Sequence, residues 1–252
     1  MARTSEKKHW EEFWSSSRQR GEVYANDDRI VRNLTGVVDV KGLRVLEVGA
    51  GTGRDSETLA GLGAEAWTLD YSEEALRLMA EDPERRVRIV CGDTFALPLR
   101  SGSFDIVFHQ GLLEHFKDPG PVLAENGRVL RPGGYLLVDV PQRFHYYTMA
   151  KRVLMTFGKW FAGWETEFSA GELERLMEKA GFEVIACYGH NLYPPIWYRG
   201  VRKVLAGKGV RLPMYPLDSQ GFRDLRNRMR SALPRKLVLN TSMVIGCIGR
   251  KR

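Results

Sequence analysis

Three glycines at alternate positions, Gly49, Gly51 and Gly53, follow directly on the apolar run Val45-Leu46-Glu47-Val48. Glycine has no Cβ, so such a turn can take left-handed dihedrals and let a ligand lie on bare backbone. Asp70 stands about 20 positions further on, where a carboxylate can accept both hydroxyls of a ribose. Gly92-Asp93-Thr94-Phe95 places a second carboxylate between a glycine and an aromatic ring. His109-Gln110 and the run Leu113-Glu114-His115-Phe116 bring titratable groups that could take a proton, with His145 beyond them. The glycine spacing is G-x-G-x-G, one residue short of the G-x-G-x-x-G of a dinucleotide turn.

These residues need a scaffold that delivers them to one edge, and the chain has one. Val45 to Val48 reads as a buried strand, and Arg54 onward as the helix it turns into. Strands end at Asp70 and at Cys91, a fourth runs from Phe104 to Phe108, and a fifth ends at Pro141 after the turn Pro132-Gly133-Gly134. Alternation of strand and helix implies a parallel sheet with right-handed crossovers.

From residue 43 to residue 141 the order and spacing of these motifs resemble class I S-adenosylmethionine-dependent methyltransferases. The likeness is nearest to the small-molecule branch that includes the ubiquinone and menaquinone biosynthesis enzymes. It implies an α/β fold: a doubly wound, seven-stranded, mostly parallel Rossmann-like sheet with helical cap insertions, the last strand antiparallel. It also implies S-adenosylmethionine as cofactor. On that reading Gly49, Ala50, Gly51 and Gly53 lie against its methionine portion, and Glu47 orders their loop. Asp70 and Tyr71 meet the ribose, while Gly92, Asp93, Thr94 and Phe95 meet the adenine. His109 and Gln110 border the reactive end, and Tyr24 is a lid contact. His115 leads the candidates for a catalytic base, although Leu-Glu-His also shapes the cofactor pocket in relatives of different activity.

One methyltransferase domain is expected over 1–252. Residues 1–40 form an N-terminal helical lid: a helix from Ser5 to Gln19 with Trp10, Phe13 and Trp14 on one face, and a second opened by Asp27 as N-cap. Residues 41–141 are the cofactor-binding core and 142–168 a cap insertion dense in aromatic and apolar side chains from Phe144 to Trp164. Residues 169–252 complete the sheet. Ser169-Ala170-Gly171-Glu172 has the form of a helix capping box. Within that last part, 189–237 is a basic insertion with helices expected near Ile196–Leu205 and Ser219–Ser231, and Asn240–Gly249 reads as the final strand.

Composition narrows the partners. Of the net charge of +7, residues 199–252 carry fourteen Lys/Arg against two Asp/Glu, or +12, which leaves −5 for the remainder. A local excess of that kind reads as a surface for membrane or other anionic groups. Cys91, Cys187 and Cys247 sit in apolar runs and are expected as buried free thiols, with no metal site. No leader peptide or membrane span is visible, so a cytoplasmic location is expected. No Asn/Asp-Pro-Pro-aromatic turn follows the fourth strand and no nucleic-acid module is recognisable, which argues against a nucleic-acid substrate. The acceptor expected is a small, hydrophobic or lipid-linked molecule. The alternatives are an RNA or protein methyltransferase docking through the basic segment, or a binding protein without turnover. An NAD dehydrogenase fits worst.

Overall fold

The computed structural model describes residues 7–15, 28–158, 165–191, 196–213, 221, 228–229 and 232–252. Seven strands form one sheet: β1 (Arg44–Val48), β2 (Glu65–Asp70), β3 (Arg88–Cys91), β4 (Phe104–Gln110), β5 (Leu130–Pro141), β6 (Phe182–His190) and β7 (Val244–Lys251). Their order is β3-β2-β1-β4-β5-β7-β6. The first five run parallel, and β7 is antiparallel to both β5 and β6. This is the doubly wound sheet that the sequence implies.

The central strands are apolar on both faces because both faces are covered. Leu46, Val48, Val107, Leu136 and Val138 join the core on one side; Val45, Ile106, Phe108, Leu137 and Ile248 join it on the other. Strand order reverses between β1 and β4, and a crevice at the carboxyl ends of such strands is where open α/β sheets take ligands.

The helices are α1 (Lys7–Ser15), α2 (Arg29–Thr35), α3 (Arg54–Gly61), α4 (Glu73–Ala80), α5 (Gly120–Val129), α6 (Tyr146–Thr156), α7 (Ala170–Lys179), α8 (Ile196–Ala206) and α9 (Arg235–Thr241), of which α2, α3, α4, α5, α7 and α9 pack against the sheet. Ser169 opens α7 with the full capping box: its side chain accepts from Glu172 N–H, and the Glu172 carboxylate accepts from Ser169 N–H.

Four expectations need correction. The Pro132-Gly133-Gly134 turn is an irregularity inside β5, where pairing slips between Phe104 and Ile106. Asn240 and Thr241 end helix α9, so the last strand starts only at Val244. Pro234 sets the start of that helix, overriding the strand-like Leu237-Val238-Leu239 run. Cys91 is exposed, while Cys187 and Cys247, direct neighbours across β6 and β7, are disulfide-bonded with Cα atoms 4.2 Å apart. Finally, Asp28 directly precedes α2 with a left-handed φ of 48° and no side-chain cap; Asp27 lies outside the described residues. The helix expected at Ser219–Ser231 and the cap residues 159–164 also fall largely or wholly outside them.

Candidate active site

The glycine loop between β1 and α3 is built by backbone geometry. Gly49, Gly51 and Gly53 have φ values of 67°, 57° and 68°, a region that favours glycine. A Cβ on Gly49 would meet Leu112 Cδ1 at 2.9 Å. The turn after β4 therefore packs directly on the loop, and its residues come to the cradle with it.

Four of the loop's N–H groups are already engaged. Those of Gly49 and Ala50 donate to the Leu69 carbonyl at 2.8 and 3.1 Å, and that of Gly53 to the Ala50 carbonyl at 2.9 Å. Gly51 N–H donates to Asp70 Oδ2 at 2.8 Å. A pyrophosphate site needs such donors pointed at the ligand. This loop instead offers bare backbone beside the buried carboxyls Glu47, Asp55 and Asp70.

Each carboxyl is held in place. Glu47 Oε2 accepts from Ser56 Oγ at 2.6 Å and Ser56 N–H at 3.3 Å, which ties β1 to α3. Burial, with Asp55 nearby, pushes the Glu47 carboxyl well above the usual range. Asp70, at the tip of β2, takes Gly51 N–H on one oxygen and Ser72 N–H on the other, both at 2.8 Å. Burial raises its carboxyl too, against those N–H donations. Tyr71 follows, its ring 5.4 Å beneath the Lys7 ammonium.

At the next strand tip, Asp93 Oδ1 accepts from Phe95 N–H at 2.9 Å, and the Phe95 ring packs edge-on against Phe116 with centroids 5.0 Å apart. Thr94 Oγ1 is buried with no hydrogen-bond partner among the described residues. Gly92 has a plain packing reason for being glycine, since a Cβ would meet Pro98 at 2.8 Å and Leu69 at 2.9 Å.

His109 and Gln110 end β4. His109 is fully buried and neither ring nitrogen has a partner among the described residues; burial lowers its pKa to about 4. Gln110 belongs to a network that the sequence did not reveal. Arg29 on α2 grips Asp139 of β5 with two hydrogen bonds, 3.1 and 2.8 Å, and reaches Gln110 Oε1 at 3.2 Å. Gln110 in turn donates to Asp55 at 2.6 Å, and Tyr188 OH donates to Asp139 at 2.8 Å. The available signals were a single arginine opening the apolar run Ile30-Val31 and a single aspartate inside Leu136 to Val140.

The short 3-10 turn Leu113–His115 carries the remaining titratable groups. His115 is buried, meets the Trp10 ring edge-on at 4.8 Å, and burial lowers its pKa to about 4. Glu114 is buried with Oε2 unpartnered among the described residues; burial and the nearby Glu165 hold its carboxyl well above the usual range. Lys151 of α6, also buried, pairs with Glu165 at 2.7 Å. Beyond this pair lies a cleft of about 770 Å³, lined by Arg143, Arg152, Met155 and Glu165 to Glu167. Thr166, on its wall, donates its N–H to the Glu114 carbonyl at 2.8 Å, so the cleft abuts the turn after β4.

Helix α1 closes the other side. Glu11 accepts from Ser72 Oγ, Glu73 N–H and Glu74 N–H at 2.9 to 3.0 Å, capping α4 from outside. Tyr24 lies outside the described residues. The other expected site residues fall along the tips of β1, β2, β3 and β4.

Comparison with known proteins agrees with this geometry. Residues 46–138 match the family model described as a methyltransferase domain. A probable S-adenosylmethionine-dependent methyltransferase of Mycolicibacterium smegmatis is 36% identical over 144 residues, 57% of this chain and 53% of that protein. The ubiquinone biosynthesis O-methyltransferase of Thiobacillus denitrificans is 30% identical over 163 residues, 61% of this chain and 70% of the relative. The match thus spans about half of the first relative's length and over two thirds of the second's. In fold, the chain is similar to a Thermotoga maritima structure described as an S-adenosylmethionine-dependent methyltransferase, with a TM-score of 0.67, 20% identity, and coverage of 98% of this chain and 100% of that one. On sequence, topology and site together, the chain belongs to the S-adenosylmethionine-dependent methyltransferases.

Proposed function

We propose that this protein transfers the methyl group of S-adenosylmethionine to a small, hydrophobic or lipid-linked acceptor. The observation that carries the first half is the glycine loop, four of whose N–H groups are internally satisfied, beside the buried Asp70 at the tip of β2. Such a loop presents fewer free donors than a pyrophosphate site needs, while Asp70 and Asp93 offer acceptors at the neighbouring strand tips. When bound, S-adenosylmethionine supplies a sulfonium methyl group open to in-line displacement.

The chain's own residues divide the remaining work. Gly49, Ala50, Gly51 and Gly53 would lie along the methionine portion, with Glu47 ordering their loop through Ser56. Asp70 and Tyr71 would hold the ribose, and Gly92, Asp93, Thr94 and Phe95 the adenine. His109 and Gln110 would border the reactive end. Placement behind the methyl carbon and exclusion of water can supply much of the acceleration. His115 and Glu114 stand between cofactor loop and cleft, where a proton from the acceptor would leave. Burial holds the His115 pKa near 4, so the ring is neutral at pH 7 but a weak base.

The apolar and aromatic side chains that α6 exposes, Tyr146, Met149, Val153 and Phe157, support a hydrophobic acceptor. So does similarity to a relative named for ubiquinone biosynthesis. Labelled-methyl transfer into the lipid, small-molecule, RNA and protein fractions of a lysate tests this. Label in lipid-soluble or small-molecule material is the expected result. Label confined to RNA or protein contradicts the acceptor, and tight cofactor binding without transfer contradicts turnover.

A further inference from the structure

We propose that the edge of the molecule bearing the cofactor crevice docks on an anionic phospholipid bilayer through helices α6 and α8. The inference deepens the lipid-linked reading above and rests on it only for its purpose.

The topology brings the two helices to one edge. Strands β5 and β6 run in the same direction, and their last residues, Pro141 and His190, pair with the same residue of β7, Val244. The two insertions therefore leave the sheet at one level with one strand between them, about 10 Å apart. They leave at the carboxyl end of β4 and β5, where the candidate site lies.

Both insertions expose apolar side chains. On α6, Tyr146, Met149, Val153 and Phe157 recur at intervals of three, four and four, which is one helix face. Val153 is 57% and Phe157 71% exposed. On α8, Val201 and Val204 are exposed, the latter by 63%, and Val210 follows. A run of exposed aromatic and aliphatic residues this regular marks an interaction face.

Charge selects the occupant. Residues 142–164 and 191–217 hold four and five Lys/Arg respectively and no Asp/Glu. In the first, Arg143, Lys151 and Arg152 are paired with Glu172, Glu165 and Glu167. The free positive charge comes from the second: Arg202, Lys208 and Arg211 form no ion pair among the described residues. An apolar face bordered by uncompensated cations is the pattern of a helix lying at an anionic bilayer surface. No helix among the described residues is long and apolar enough to cross a membrane, so the contact is peripheral.

Flotation of the full chain with vesicles of phosphatidylcholine alone, and of phosphatidylcholine with phosphatidylglycerol, tests this. Binding to the mixed vesicles only, weakened by salt, is expected. Val153→Glu and Val204→Glu should each lower the bound fraction about fivefold. The triple Arg202→Gln, Lys208→Gln, Arg211→Gln should lower it further. Stabilisation by S-adenosylhomocysteine serves as the check that each variant is folded, with Phe157→Ser standing in for Val153→Glu if that one is not. Three results would overturn the proposal: no binding to mixed vesicles, binding indifferent to both valine variants, or a dimer in light scattering that those variants dissolve while vesicle binding persists. Transfer into lipid-soluble material without vesicle binding would sink the docking alone. Vesicle binding with label only in polar molecules would sink the acceptor reading alone.

Discussion

Asp70 joins the loops after β1 and β2 through one oxygen each, so its side chain holds the proposed ribose site in shape. Asp70→Ala should weaken S-adenosylhomocysteine binding by at least about tenfold in calorimetry, while Asp70→Asn keeps an acceptor and loses less. Glu47 differs, because burial and Asp55 favour its neutral form. Glu47→Gln should leave the thermal midpoint nearly unchanged, whereas Glu47→Ala should cost about 1–3 kcal/mol by orphaning Ser56. The two buried histidines make an acid-side prediction. Their folded pKa of about 4 lies below the unfolded value of about 6.5. The stability tied to their neutral forms is thus whole above pH 6.5 and lost as the pH falls through 4. His109→Leu should flatten the decline of thermal midpoint between pH 6.5 and 4. A slope unchanged from wild type would show that His109 does not titrate as its burial requires. At this scale the glycines and the two aspartates at strand tips were legible, because spacing along one chain fixes them. Lys151 with Glu165 and Arg29 with Asp139 were not, since nothing local tells which distant carboxylate will cover a buried cation.

Among the elements, α1 is held to the site through Glu11 on the N-terminus of α4 and through Trp10 on His115. The donated N–H groups lower the Glu11 carboxyl despite its partial burial, so this contact is full above the ordinary carboxylate range and lost as pH falls below it. Glu11→Ala should destabilise by about 1 kcal/mol, the usual worth of a helix cap, and expose α1 to protease. Unchanged cleavage would mean that the helix is held by its aromatic face alone. The buried ion pair of α6 gives a sharper test. Lys151→Met should cost about 3 kcal/mol in urea unfolding by stranding Glu165, and the double change with Glu165→Leu should recover most of it. The helices and strands of the core were readable from periodicity and caps, the Ser169 box above all. Helix α9 was not, since Leu237-Val238-Leu239 has the composition of a strand and only Pro234 marks the turn into helix. The Cys187–Cys247 bond likewise depends on which strands become neighbours, and β6 meets β7 only in the folded sheet.

For the molecule as a whole, the parallel half of the sheet carries the proposed cofactor residues and the antiparallel end carries the basic, apolar-faced insertions. The charge division of −5 before residue 199 and +12 after it follows the same line. Strand order and the place of the site were legible because alternating elements admit few topologies once crossovers must be right-handed. The cleft was not, because Arg143, Arg152 and Glu165 to Glu167 reach it from a helix and a loop separated in the chain. A crystal structure of the protein with S-adenosylhomocysteine is the decisive test of the cradle. The adenosine should span Asp70 and Asp93, with the homocysteine along Gly49 to Gly53. A ligand seated away from both aspartates, or pyrophosphate-bearing NAD found in the same groove in its place, would contradict it.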